Sequence, residues 1–255
     1  MGLPTPGTNK LQVLRAVEEG WQAFCRAPWS FVLFQVLVLT LMTPFLLLIS
    51  KGVLHLVLGD EPLFHPIATQ IALVVGVVGY IVVALWGLVG FSRGAWISLG
   101  GQKPSFRHFT RWDGAASGRL FSSGLLLVIV LAVVGAVAWG IGLGLEQVRA
   151  GLFLIPLAAF AIFKIWLVIS QQFLLPMALF GAKKPVETLQ AGIAGVNPSW
   201  WTVLWFAIVE GVVATVAYLF SAGGLLVLAP VLICISIAAY RQLFGGQDHT
   251  GLMNP

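Results

Sequence analysis

Lys164 and Glu210 each stand near the middle of an apolar run, and Gln171 and Gln172 follow the lysine by two turns. A charge at mid-membrane depth costs roughly 2.5 to 3.5 kcal/mol on insertion scales, so such a residue should face protein or water and have a partner. Glu210 is the acid at matching depth, and Gln171, seven residues beyond Lys164, returns to nearly the same helical face. Around Glu210 the small residues Ala207, Gly211, Ala214 and Ala217 form a stripe that would let another helix approach closely. The expectation is a Lys164–Glu210 pair inside a bundle. It could hold a ligand's polar group or line a solute path. Beside this stand two structural readings, a static pair that fixes register and a lysine that snorkels to the interface.

Other residues carry weaker signals. Gly90-Phe91-Ser92-Arg93-Gly94 fits the GxSxG pattern of serine hydrolases, which requires a strand, a sharp turn and a helix, with a histidine and an acid in reach. Here it lies near the end of an apolar run with no histidine close in sequence, and Gly90 and Gly94 read better as a small-xxx-small packing contact. His55, Asp60, Glu61 and His65 share a polar loop at no established metal-site spacing, and His108 with Asp113 has the same standing. Cys25 and Cys234 belong to no CxxC or disulfide framework. The expectation is therefore a chain with no catalytic set, no metal and no cofactor.

The elements that must position these residues are membrane spans. Of 255 residues, 59% are hydrophobic and 9% charged, against about 25% charged in soluble domains, which excludes a soluble fold. Continuous apolarity, without polar-apolar alternation, selects helices over barrel strands. The fold class is an all-α integral membrane protein. The expected spans cover residues 29–50, 69–97, 120–145, 152–180, 199–220 and 225–244, with Pro44 as a kink and Ala222-Gly223-Gly224 as the last tight turn. Residues 9–27 form an amphipathic interfacial helix with Leu11, Leu14, Val17, Trp21 and Phe24 at helical spacing. Phe106, Phe109 and Trp112 mark a second interfacial helix. Val186, Leu189 and Ile193 mark a third, broken by Asn197-Pro198. The run at 29–50 is too long for a signal-peptide core and is expected to stay in the mature chain.

Basic residues set the orientation. Lys10, Arg15, Arg26, Arg93, Lys103, Arg107, Arg111, Arg119, Lys183, Lys184 and Arg241 fall on one side, and Lys51 and Arg149 on the other. Both termini are thus expected in the cytoplasm, in a cytoplasmic (inner) membrane. The net charge of +5 is accounted for in this way rather than by nucleic acid, for which there is no recognisable module. Lys103, Arg107, Arg111, Arg119, Lys183 and Lys184, beside interfacial aromatics, suit anionic lipid head groups at about 1 kcal/mol each.

An interfacial helix followed by a two-span hairpin recurs three times, giving three parallel helix-plus-hairpin repeats. The second and third open alike, Gly-Gln-Lys-Pro-Ser-Phe from Gly101 and Gly-Ala-Lys-Lys-Pro-Val from Gly181. The segments GFSRGAWISLGGQKPSFRHFTRWDGAASG (Gly90 to Gly118) and Gln172 to Gly245, with FLLPMALFGAKKPVETLQAGIAGV and GGLLVLAPVLICISIAAYRQLFG, carry a resemblance. The chain is similar to bacterial six-span proteins of the YciC type and to the membrane domain attached to some glycerophosphodiester phosphodiesterases. That resemblance implies a six-helix membrane fold. It implies no phosphodiesterase activity, because the catalytic domain has no counterpart here.

The reading is a non-enzymatic multi-pass protein that binds membrane lipids or a partner membrane protein in an accessory or envelope-maintenance role. The alternative is a small transporter or permease, with a polar site at Lys164, Gln171, Gln172 and Glu210 and with Pro44, Pro156, Pro176 and Pro230 in or near spans.

Overall fold

The computed structural model describes residues 11–58, 66–220 and 222–253. The elements in order are α1 (Val13–Arg26), α2 (Pro28–Leu58), α3 (Pro66–Leu99), α4 (Phe106–Thr110), α5 (Gly114–Glu146), α6 (Leu154–Ser170), α7 (Leu174–Pro176), a π-helical turn (Met177–Gly181), α8 (Pro185–Val196), a 3-10 turn (Asn197–Ser199), α9 (Trp200–Phe220) and α10 (Ala222–Phe244). The protein is an all-α membrane protein, with no strand among the described residues. Five helices are long and apolar enough to cross a membrane, or six if α6 and the bent piece after it count as one span.

Helix length decides where the core lies. The 34 residues of α3 extend about 51 Å at ~1.5 Å each, against a hydrocarbon layer of about 30 Å. The surplus is at the cationic end, where every residue from 89 to 96 is buried, whereas Ile71, Val74, Val75 and Val78 are exposed. Helices in lipid gain nothing by hiding apolar side chains from hydrocarbon, while a side chain taken out of water gains roughly 1.5 to 3 kcal/mol. Packing follows that difference. Phe31, Phe34, Phe109, Phe173, Phe180, Phe206 and Tyr240 are all fully buried near this end. Trp96 stacks on Phe180 at 4.0 Å, Phe34 meets Phe91 at 4.8 Å, and Phe31 meets Phe109 edge-on at 4.9 Å, each pair adding about 0.5 to 1.5 kcal/mol.

The hub is α10. Half of its span window (50%) is buried, against 11 to 17% in the other long spans. Its alternation of large and small residues from Cys234 to Tyr240 lets α1, α2, α3 and α9 all pack on it. α1 meets it through Ala16, Gly20 and Ala23; a Cβ at position 20 would stand 2.6 Å from the Ile235 backbone. The expected lipid-facing stripe of α1 is thereby split. Leu11 and Phe24 are buried with the small residues, while Leu14 and Trp21 point out at 80% and 51% exposure. α4 likewise turns Phe109 inward and leaves Phe106 and Trp112 outside. α8 buries Leu189 beside Thr188, Ala191, Gly192 and Gly195.

Several boundaries differ from expectation. α2 runs on to Leu58, so Lys51 and His55 lie in a helix and not in a loop, and α5 starts at Gly114 rather than at 120. Span four is not one helix over 152–180; it breaks at Gln171–Phe173, and the pieces meet at 53°. Pro176 explains the break. It has no N–H for the Gln172 carbonyl, and its ring crowds that oxygen. The helix then restarts and widens, Ala182 N–H reaching the Met177 carbonyl five residues back at 2.9 Å. Asn197-Pro198 ends α8 at Val196 as expected, but a single 3-10 turn carries the chain directly into α9, so that Pro185–Val216 is long and apolar enough to count as one span. Ala222–Gly224 is the first turn of α10 and not a loop, and position 221 lies outside the described residues.

Gly90 and Gly94 form the notch expected of them, and what they admit is α4. A Cβ on Gly94 would overlap the Phe109 ring, and one on Gly90 would overlap the Phe109 carbonyl and the Phe34 ring. Gly94→Leu should lower the unfolding free energy by about 1 to 3 kcal/mol or more through overpacking. Gly211→Ala, which meets nothing within 4 Å, should be neutral or stabilise by up to ~1 kcal/mol. Thermal unfolding in one detergent checks both. Equal effects would contradict the notch.

Candidate functional site

Of the four polar residues expected inside the bundle, two come together. Gln172 Nε2 donates to Glu210 Oε2 at 2.7 Å, and both are half-buried. Gln171 is buried separately at the junction of α6 and α8. Its Nε2 donates to the Leu189 carbonyl at 2.9 Å, and Gly192 leaves it room. Its Oε1 has no hydrogen-bond partner among the described residues. At the helix break the Gln171 amide thus reaches α8 and the Gln172 amide reaches α9.

Lys164 does not pair with Glu210. Among the described residues no ion pair joins them, and Lys164 is exposed in a shallow groove of about 380 Å³ with Ala161, Ile165, Val168 and Ile169. The reason is the face on which it lies. Ala161, Ile165 and Val168 are also exposed, while α6 buries Leu167 and Ser170. Gln171 lies on nearly the same face as Lys164, but α8 covers only the end that holds Gln171. The small-residue stripe around Glu210 is also not a seam at Gly211, which has open space beside it; the Ala217 side chain lies outside the described residues.

The residue that sequence reasoning passed over is Arg93, the fourth member of the supposed GxSxG. Its side chain is 3% exposed. Nη1 donates to the His108 carbonyl at 3.1 Å and to the Arg111 carbonyl at 2.9 Å, and Nη2 stands 3.6 Å from Asp113 Oδ2. Trp86 Nε1 donates to the Thr110 carbonyl between them at 3.0 Å. The C-terminal carbonyls of α4 are thus closed by donors from α3, the end where a cation is favoured. Asp113 serves twice, since its Oδ1 accepts from Ala116 N at 2.9 Å and caps α5. His108 Nδ1 accepts from Ser105 N at 3.1 Å at the start of α4. Both are helix-end groups. The Ser92 hydroxyl is buried in mid-helix, so the strand-turn-helix elbow is absent there.

Among the described residues no cluster of histidine, cysteine, aspartate and glutamate has metal-site geometry, and Cys25 and Cys234 are both free thiols. The His55 side chain, Asp60, Glu61, His65 and Lys10 lie outside the described residues.

Of the six head-group candidates, Lys103, Arg107, Arg111, Lys183 and Lys184 are exposed, with Lys184 3.6 Å from Glu187. Arg119 is different. It is half-buried, and its Nε donates to the Ala178 carbonyl in the π-helical turn at 3.3 Å. The next two carbonyls of that turn are taken by the residues after α10. The Leu179 carbonyl accepts from the Thr250 hydroxyl, and the Phe180 carbonyl accepts from His249 N at 2.9 Å. The Asp248 carboxylate holds this segment by accepting from the backbone of Thr250, Gly251 and Met253 at 2.8 to 3.0 Å, and Leu252 is buried. The sequence signal was Asp-x-Thr-Gly, a capping pattern beyond the last span.

Arg93→Met should cost about 1 to 3 kcal/mol, because it removes the donor of the His108 and Arg111 carbonyls while Asp113 still accepts from Ala116 N. A double-mutant cycle of Gln172→Leu with Glu210→Leu should give a coupling of roughly 0.5 to 3 kcal/mol, while Lys164→Met with Glu210→Leu should be additive within about 0.5 kcal/mol. Unfolding in detergent measures all of these; coupling in the second cycle but not the first would restore the lysine pair. The chain matches no family model, no curated protein and no solved structure.

Proposed function

We propose that the chain is a six-span protein of the cytoplasmic membrane, built from three parallel helix-plus-hairpin units, whose cationic end lies in the cytoplasm. In this reading it binds anionic lipids, or a partner membrane protein, in an accessory or envelope-maintenance role and catalyses no reaction. The order of elements supports the threefold reading, a short helix followed by two long ones in each third of the chain. The resemblance to YciC-type six-span proteins belongs to the same proposal.

One observation carries it. Lys103, Arg107, Arg111, Lys183 and Lys184 are exposed at the end where the helices are packed, beside the exposed Phe106 and Trp112, while the far halves of the helices present bare apolar faces. An apolar belt bordered on one side by cations and aromatic rings matches the boundary between acyl chains and phosphate groups. Cations held there attract anionic head groups without any specific pocket.

A second reading is favoured by the broken helix. A span interrupted at polar residues, with Gln172 bonded to Glu210 beside the break, is a feature of solute transporters. The outward position of Lys164 removes one residue from such a path.

Native mass spectrometry of the protein from mixed phosphatidylcholine and phosphatidylglycerol nanodiscs separates the two. Enrichment of phosphatidylglycerol, or a stoichiometric partner from native membranes, is expected. Recovery with neither, together with solute uptake into proteoliposomes that Glu210→Gln abolishes, would favour transport instead.

A further inference from the structure

The cations Arg15, Arg26 and Arg241 reach a common cleft. Arg15, Glu19, Gln22 and Arg26 lie on one side of α1, and Arg241 and Gln242 lie at the end of α10, with the end of α3 as floor. The cleft holds about 410 Å³, room for a phosphate and what it is esterified to. It contains three arginines and one glutamate, and the glutamate is already engaged. Glu19 Oε1 accepts from Arg15 Nε at 2.8 Å, and its Oε2 accepts from Gln242 Nε2 at 3.3 Å.

Neither of the two other guanidiniums has a carboxylate within ion-pair distance, and the negative charge that Arg241 senses is that of Glu19, already shared with Arg15 and Gln242. Arg26 gives one N–H to the Ser98 carbonyl at 2.6 Å and faces no carboxylate within ion-pair distance. Arg241 lies over the Trp96 ring at 5.1 Å, and its Nη1 is buried without a hydrogen-bond partner among the described residues. A guanidinium carries five N–H donors in a planar fork. Stacking on an indole fixes the plane of that fork and satisfies none of its donors. The edge of Arg241 that lines the cleft suits an acceptor with several oxygens, and phosphate supplies them.

We propose that this cleft binds a phosphate ester anion through Arg26 and Arg241, with Gln22 at its rim. This rests on the lipid-binding reading and gives it a site. The outer side of α1 indicates the source of the ester. Leu14 and Trp21, seven residues apart on one face, are exposed, and Arg15 and Gln22 each follow one of them by a single residue, about 100° round the helix. A helix lying in the interface would therefore sink Leu14 and Trp21 among acyl chains and present the cleft at the depth of the head-group phosphate.

The test uses the full chain in phosphatidylcholine nanodiscs, with and without phosphatidylglycerol, and in detergent with inorganic phosphate or glycerol 1-phosphate. Lipid retention is read by native mass spectrometry and soluble anions by thermal shift. Arg241→Gln and Arg26→Gln should each weaken phosphatidylglycerol retention about tenfold or more, the scale of one charge-assisted hydrogen bond. Gln22→Glu, an exposed helix substitution that puts a second carboxylate at the rim, should do the same and covers the case in which Arg241→Gln does not fold. Arg107→Gln, an exposed cation away from the cleft, should leave retention within about twofold. If phosphatidylglycerol is retained but Arg26→Gln and Gln22→Glu bind it like wild type, the cleft is overturned while the lipid reading stands. A thermal shift by free phosphate that these variants remove, without lipid preference, supports the cleft and overturns the lipid reading. No lipid preference and no shift overturns both.

Discussion

Helix ends that stop inside a packed region leave carbonyls that must find donors, and this protein closes them largely with arginine. Arg93 takes the end of α4, Arg26 the Ser98 carbonyl at the end of α3, and Arg119 the first outward carbonyl of the π-helical turn. Other turns among the described residues are closed by Asp113, by Asp248 and by Glu146, which accepts from Gly151 N at 3.1 Å at the opposite end of the molecule. A guanidinium suits the task because it reaches several acceptors from a long apolar stem and retains its charge. Several cations that a charge count would assign to the membrane surface are thus structural members.

That arrangement belongs to a molecule with two packing regimes. Where the long helices overshoot the hydrocarbon thickness they are held by aromatic side chains and helix-end hydrogen bonds, as in a soluble protein. Where they lie within it they present Val, Leu and Ile outward and touch fewer neighbours. The break at Gln171–Phe173 sits where one regime gives way to the other. There α8 covers Gln171, and Gln172 reaches Glu210.

How much of this the sequence disclosed follows the physics. The spans were legible because runs of apolar residues state their own length, and the cationic end was legible because Lys and Arg cluster in the connections. Partners were not. Nothing in the composition of 152–180 distinguishes a proline that kinks a helix from one that breaks it, so Pro176 counted only as one of four prolines in or near spans. Lys164 was assigned to Glu210 because both are charged at similar depth. Helical phase alone does not tell which face a neighbour covers. Arg93 was hidden inside a motif borrowed from another fold. The centrality of α10 was present in its small residues, but small residues are common in all these helices.

The pairing of α1 with α10 has a consequence for how the chain is made. Gln12 and Gln242 are joined by a hydrogen bond across 230 positions, so during synthesis α1 waits for its seat until α10 has been translated. In that interval its apolar residues need a temporary berth. On the lipid-binding reading proposed above, the bilayer surface would hold Leu14 and Trp21 at once and Leu11 and Phe24 until α10 arrives, so that one helix would serve first as a float and afterwards as a clasp.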